Sequence, residues 1–90
     1  MRLDVFLKVS RLVSRRSGAQ ELCDAGLVFV NGSGAKSSKE VKVGDEVEIR
    51  RRNRVTAVKV RELPATKQVS KSQSASLYEM IRDDPVSDDL

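Results

Sequence analysis

Ninety residues, 39% of them apolar and only three aromatic (Phe6, Phe29, Tyr78), make one small domain whose core must come from Leu, Val, Ile and Ala. With no histidine and one cysteine, Cys23, the chain offers no His-based acid–base catalyst, no Ser-His-Asp triad, no intrachain disulfide and no zinc site. Its 17 basic and 13 acidic residues give a net charge of +4, and the longest apolar run, Leu27-Val28-Phe29-Val30, is far short of a membrane span; enzyme, membrane protein and disulfide scaffold all fit poorly.

Leu3, Phe6 and Leu7 recur at i, i+3, i+4 and predict a first helix over 3–9, with Asp4 suiting the positive end of its dipole. Residues 10–14 read as a connection ending in Ser14, a candidate N-cap. A second helix over 15–25 follows from Ala19, Leu22 and Cys23, with Gly26 as its stop. From Leu27 the period becomes two. Leu27 to Val30 predicts a strand, Asn31-Gly32 a tight turn, and 33–36 a brief returning strand. Glu46 to Arg51 alternates, with Val47 and Ile49 on one face. The basic turn Arg51-Arg52-Asn53-Arg54 then leads into a strand over 55–61 that places Thr56, Val58 and Val60 together. Pro64 ends this α+β unit, two helices on a small, mostly antiparallel sheet, which we assign to 1–63. Residues 64–76 are polar and serine-rich, as a linker is. Leu77, Met80 and Ile81 predict a short amphipathic helix over about 76–83, capped by Ser74 or Ser76, which either docks on the domain or folds against a partner.

The charge is unevenly placed. Residues 1–62 hold 14 bases and eight acids, whereas 63–90 hold three bases and five acids, so a basic body precedes an acidic tail. A polyanion partner explains the body; a solvated surface that merely leans positive is the plainer alternative. Arg2, Lys8, Arg11, Arg15 and Arg16 lie within the first sixteen residues, opposed only by Asp4. Arg15 and Arg16 sit in the opening turn of the second helix, where a cation opposes the dipole at about 0.3–1 kcal/mol each. A phosphate held by free backbone N–H groups and guanidinium forks accounts for that cost. The alternative is that Arg16 bridges to Asp4, a pairing that could itself orient the arginine. Arginines 50, 51, 52 and 54 offer a second RNA contact, but a solvated hairpin tip is the simpler reading of them. Cys23 reads as a packed small hydrophobe. With no long recognition helix, no dimer seam and no stacking aromatics, recognition of structured RNA by shape and phosphate is favoured over DNA, and a monomer is expected.

The stretch RLDVFLKVSRLVSRRSGAQELCDAGLVFVNG, followed by Ala35-Lys36 and VKVGDEVEI, resembles the ribosomal-protein S-four RNA-binding domain, the αL motif, over about 1–62. The resemblance implies an αα-then-β fold whose helices and adjoining turn dock on RNA. It implies RNA contacts by Arg2, Asp4, Lys8, Arg11, Arg15, Arg16 and Lys36, with Val5 standing where relatives commonly carry a base. Stand-alone members resembling this chain are ribosome quality-control factors, of this length, and heat-shock factors, whose C-terminal extension is longer and strongly basic; the short acidic tail here resembles the former. By that likeness the chain would be a cytoplasmic, ribosome-associated, non-catalytic clamp needing no cofactor or metal. It would bind large-subunit rRNA and P-site peptidyl-tRNA so that the partner RqcH can extend the stalled chain with alanine. An accessory module of an RNA-modifying enzyme is a further family role, but residues 64–90 are too few for a catalytic domain.

Overall fold

Leu3, Phe6 and Leu7 are fully buried on the first helix, α1 (Leu3–Val9), and Val5 and Val9 are buried with them. Lys8 is its one exposed position, so α1 is enclosed almost all round rather than on the single face its periodicity predicts. The computed structural model that shows this describes residues 1–66 and 68–85. The second helix, α2 (Arg16–Asp24), buries Ala19 and Cys23 against the core. Its N-cap is Arg15 rather than Ser14. Gly26 adopts φ 75°, its N–H reaches the Cys23 carbonyl at 3.0 Å, and Leu27 N–H reaches the Leu22 carbonyl at 3.0 Å. Those two bonds close the helix in a Schellman motif, which needs the left-handed residue that glycine supplies.

The hairpin of β1 (Val28–Val30) and β2 (Ser33–Gly34) turns through Asn31 at φ 52° and Gly32 at φ 84°, as the Asn-Gly pair predicts. The Asn31 side chain also accepts the Glu46 N–H at 2.9 Å, tying this turn to the start of β3 (Glu46–Arg51). Val47 and Ile49 of β3 lie opposite Val58 and Thr56 of β4 (Arg54–Val60), and all four are buried.

The chain after Pro64 departs from expectation. No helix occupies 76–83. A shorter one, α3 (Lys71–Ser76), precedes it, and Tyr78–Pro85 forms a fifth strand, β5, antiparallel to β4. The sheet order is β2-β1-β3-β4-β5. Of the three apolar residues that suggested the helix, only Leu77 is buried; Met80 and Ile81 are 45% and 50% exposed on the edge strand. Ser70, not Ser74 or Ser76, caps α3, in a reciprocal capping box with Gln73. Ser74 is buried instead, its hydroxyl donating to the Val9 carbonyl at 2.7 Å. The segment therefore docks on the domain. Residues 86–90, with the last two acids of the tail, lie outside the described residues.

One loop positions the site. Leu3 N–H donates to the Lys39 carbonyl at 2.7 Å and Asp4 N–H to the Ser37 carbonyl at 3.1 Å. Two of the orphan donors of α1 are satisfied in this way, and the loop that carries Lys36 is brought against the helix start.

Candidate nucleic-acid interface

Asp4 is fully buried and takes every bond it can accept. Its Oδ1 accepts from Arg2 Nε at 3.2 Å and from the Val5 N–H at 2.8 Å. Its Oδ2 accepts from Arg16 Nε at 3.1 Å, Gln20 Nε2 at 2.9 Å and Arg2 Nη2 at 3.4 Å. Burial pushes the Asp4 carboxyl upward, but the bonds from Gln20, Arg16, Arg2 and the Val5 N–H outweigh it, and the pKa is lowered overall. Arg16 does bridge to Asp4, and Arg2 shares the same carboxylate. One anion is thus divided between two cations, and a positive charge is left over. Both arginine side chains stay partly open to solvent, 45% and 43% exposed. Asp4 thus holds two arginines on one carboxylate, Arg2 through Nε and Nη2 and Arg16 through Nε, and cannot neutralise both.

Gln20 is the member of this cluster that the sequence did not single out. It lies one turn after Arg16 on α2, and that i, i+4 spacing was the available signal. Arg15, as N-cap, makes no side-chain cap bond, and the first turn of α2 carries no acid. The N–H groups there present the positive end of the helix uncompensated. Lys8, Arg15 and Lys36 have no ion pair among the described residues and are exposed. Arg11 is differently employed. It sits in the left-handed region at φ 63° and donates from Nε to Ser74 Oγ at 3.1 Å and from Nη2 to the Val69 carbonyl at 3.3 Å, holding the C-terminal segment. Val5, the departure from the usual base, belongs to the buried core.

The arginines of the β3–β4 hairpin are engaged in bracing. Arg50 lies 4.3 Å from the Phe29 ring centroid and pairs with Glu48 at 2.6 Å, Arg51 donates to the Leu12 carbonyl at 2.8 Å, and Arg54 pairs with Asp83 at 2.7 Å. Cys23 is buried, and burial, with Asp4 and Asp24 nearby, raises its thiol pKa, as befits a core residue. Among the described residues no helix is long and apolar enough to cross a membrane, and no group of three or more His, Cys, Asp or Glu could hold a metal ion.

Residues 1–47 match the family model of the S4 domain, covering α1, α2, the β1–β2 hairpin and the loop that caps α1. The chain belongs to the S4-domain family. Within it, the chain is 44% identical to the RQC P-site tRNA stabilizing factor of Halalkalibacterium halodurans, over 97% of each chain. It is also 44% identical to the factor of that name from Streptococcus pneumoniae, over the full length of both. Among solved structures, the trimeric Heat Shock Protein 15 of Vibrio cholerae superposes with a TM-score of 0.80 at 26% identity, over 89% of this chain and 80% of that one. The solution structure of a hypothetical protein, HP1423, gives 0.74 at 36% identity, over 99% and 100%. The expected fold class is thereby met. Since the Vibrio protein is described as trimeric, likeness to it lends no support to the expectation of a monomer.

Proposed function

We propose that this S4-domain protein is a non-enzymatic RNA-docking factor of ribosome quality control. It would hold P-site peptidyl-tRNA on a stalled large ribosomal subunit by contacting both rRNA and tRNA. The observation that carries the reading is the buried Asp4 carboxylate, which holds Arg2 and Arg16 together while both side chains stay nearly half exposed. An arginine fork matches a phosphate edge, and two fixed forks define a spacing that mobile lysines do not. Lys8, Arg15 and Lys36 extend the cationic surface, and Arg11 adds charge while holding the C-terminal segment. Near-full-length likeness to proteins called RQC P-site tRNA stabilizing factor supports the choice of RNA. In this reading the protein is cytoplasmic and ribosome-associated, and its clamp keeps the tRNA in place while RqcH adds alanines to the nascent chain. The test is capture of large subunits on the tagged protein, followed by profiling of the bound tRNA. Recovery of peptidyl-tRNA at the P site is expected.

A second reading, a heat-shock-type recycling factor or rRNA assembly chaperone on the same subunit, draws on the superposition with Heat Shock Protein 15. It shares the RNA face and differs in cargo. Captured subunits without P-site tRNA would decide in its favour.

A further inference from the structure

A cleft of about 580 Å3 opens between the turn that joins α1 to α2 and the strap that precedes α3. Its apolar lining is Val9, Val13 and Val69, the first two of them buried, and its polar lining includes Lys8, Arg11, Ser14 and Gln68. Among the described residues no acidic side chain lines it. The two walls are tied together. Arg11 Nε donates to Ser74 Oγ, Arg11 Nη2 to the Val69 carbonyl, and Ser74 Oγ to the Val9 carbonyl, so the opening exists before any ligand arrives. Its size is that of a small-molecule site, which typically spans about 300–1,000 Å3.

The lining selects by chemistry. Two cations without a carboxylate reject metal ions and basic ligands and favour an anion. Val69, with the edges of the buried Val9 and Val13 behind it, offers an apolar wall to a flat face. A hydroxyl and an amide offer both donors and acceptors to a heterocycle edge or a sugar hydroxyl. A nucleotide combines these properties in one molecule. We propose that the cleft receives a single unpaired ribonucleotide, its base against the valines and its phosphate toward Lys8 and Arg11. The inference rests on the RNA-docking reading for the source of that nucleotide. It also gives the C-terminal strap a role, because Gln68 and Val69 supply one wall.

The test uses the full chain, isotope-labelled and followed by NMR, titrated separately with adenosine monophosphate, inorganic phosphate and hexauridylate. Adenosine monophosphate and hexauridylate are expected to shift the amides of 8–14 and 68–70, and phosphate to shift them less. Gln68→Trp fills the cleft and keeps every cation. It should abolish the mononucleotide shifts and weaken hexauridylate roughly tenfold, the effect of losing one seated base. Gln68→Ser should bind nearly as the natural chain does. Amides unmoved by adenosine monophosphate, or moved equally by phosphate, would overturn the proposal, as would natural affinity in a folded Gln68→Trp variant. Sedimentation with large subunits is scored separately. Sedimentation without cleft shifts defeats the cleft alone, whereas cleft shifts without sedimentation defeat the parent reading and leave a ribonucleotide site standing.

Discussion

A carboxylate with no solvent contact is costly unless its bonds are made, and Asp4 makes them with Arg2, Arg16, Gln20 and the Val5 N–H. Replacing it with Asn leaves an amide facing those donors, and a loss of about 1.5–3 kcal/mol is expected. The pH dependence carries a definite sign. The folded-state pKa of Asp4 is below its ordinary value, so its contribution is present above the unfolded carboxylate pKa of about 3.9 and is lost as pH falls through the folded value. Urea unfolding of the natural chain should therefore show stability declining below about pH 4, and Asp4→Asn should flatten that decline. An equally steep acid limb in the variant would mean that other carboxylates set it. Gln20→Leu removes one donor and should cost about 1 kcal/mol. It should also weaken RNA binding without changing net charge, measured by filter binding alongside the melt. Unchanged affinity would mean that Arg16 holds its aim without Gln20.

At the scale of elements, α2 begins against its own interest. Arg15 has the extended backbone of an N-cap at φ −135° and ψ 145° but cannot cap. Arg15→Ser should stabilise the fold by about 0.5–1 kcal/mol and weaken binding to large subunits, a trade expected only where the cation serves an external anion. If the variant binds as the natural chain does, Arg15 is an ordinary surface residue. Ser74 ties the C-terminal segment to α1, beside the pairing of β5 with β4. Ser74→Val leaves the buried Val9 carbonyl without its partner, at a cost of about 1–3 kcal/mol. Amide exchange should then accelerate in α3 and β5 ahead of α1. Uniform acceleration would show that the segment is no separate unit.

These same elements show what could be read from the residues. The period of Leu3, Phe6 and Leu7, the Gly26 stop, the Asn31-Gly32 turn and the alternation of Val47, Ile49, Thr56, Val58 and Val60 are local signals, and each element formed where they placed it. The pairing of Arg16 with Asp4 was foreseeable as an alternative, whereas the sharing with Arg2 and Gln20 depends on how α2 packs on α1. Leu77, Met80 and Ile81 misled because helical spacing was their strongest local signal. The open edge of β4, which no local pattern reveals, takes Met80 and Ile81 into a strand instead, while Leu77 closes α3 and is buried. Ser70-Lys71-Ser72-Gln73 carried the capping-box pattern that marks the true helix start.

Across the molecule, the helix pair and its capping loop present cations whose backbone positions are fixed by core packing. The sheet edge away from β2 is β5, where Asp83 and Asp84 are paired with Arg54 and Arg82. Docking on structured RNA through the first surface is the central claim, and co-sedimentation with purified large subunits over a range of salt tests it most directly. If about four phosphates are engaged, log K should fall against log salt with a slope of roughly −3 to −4. Arg16→Ala should bind more weakly and with a shallower slope, while its thermal melt shows it still folded. Salt-insensitive sedimentation, or a folded Arg16→Ala variant indistinguishable from the natural chain, would contradict the account.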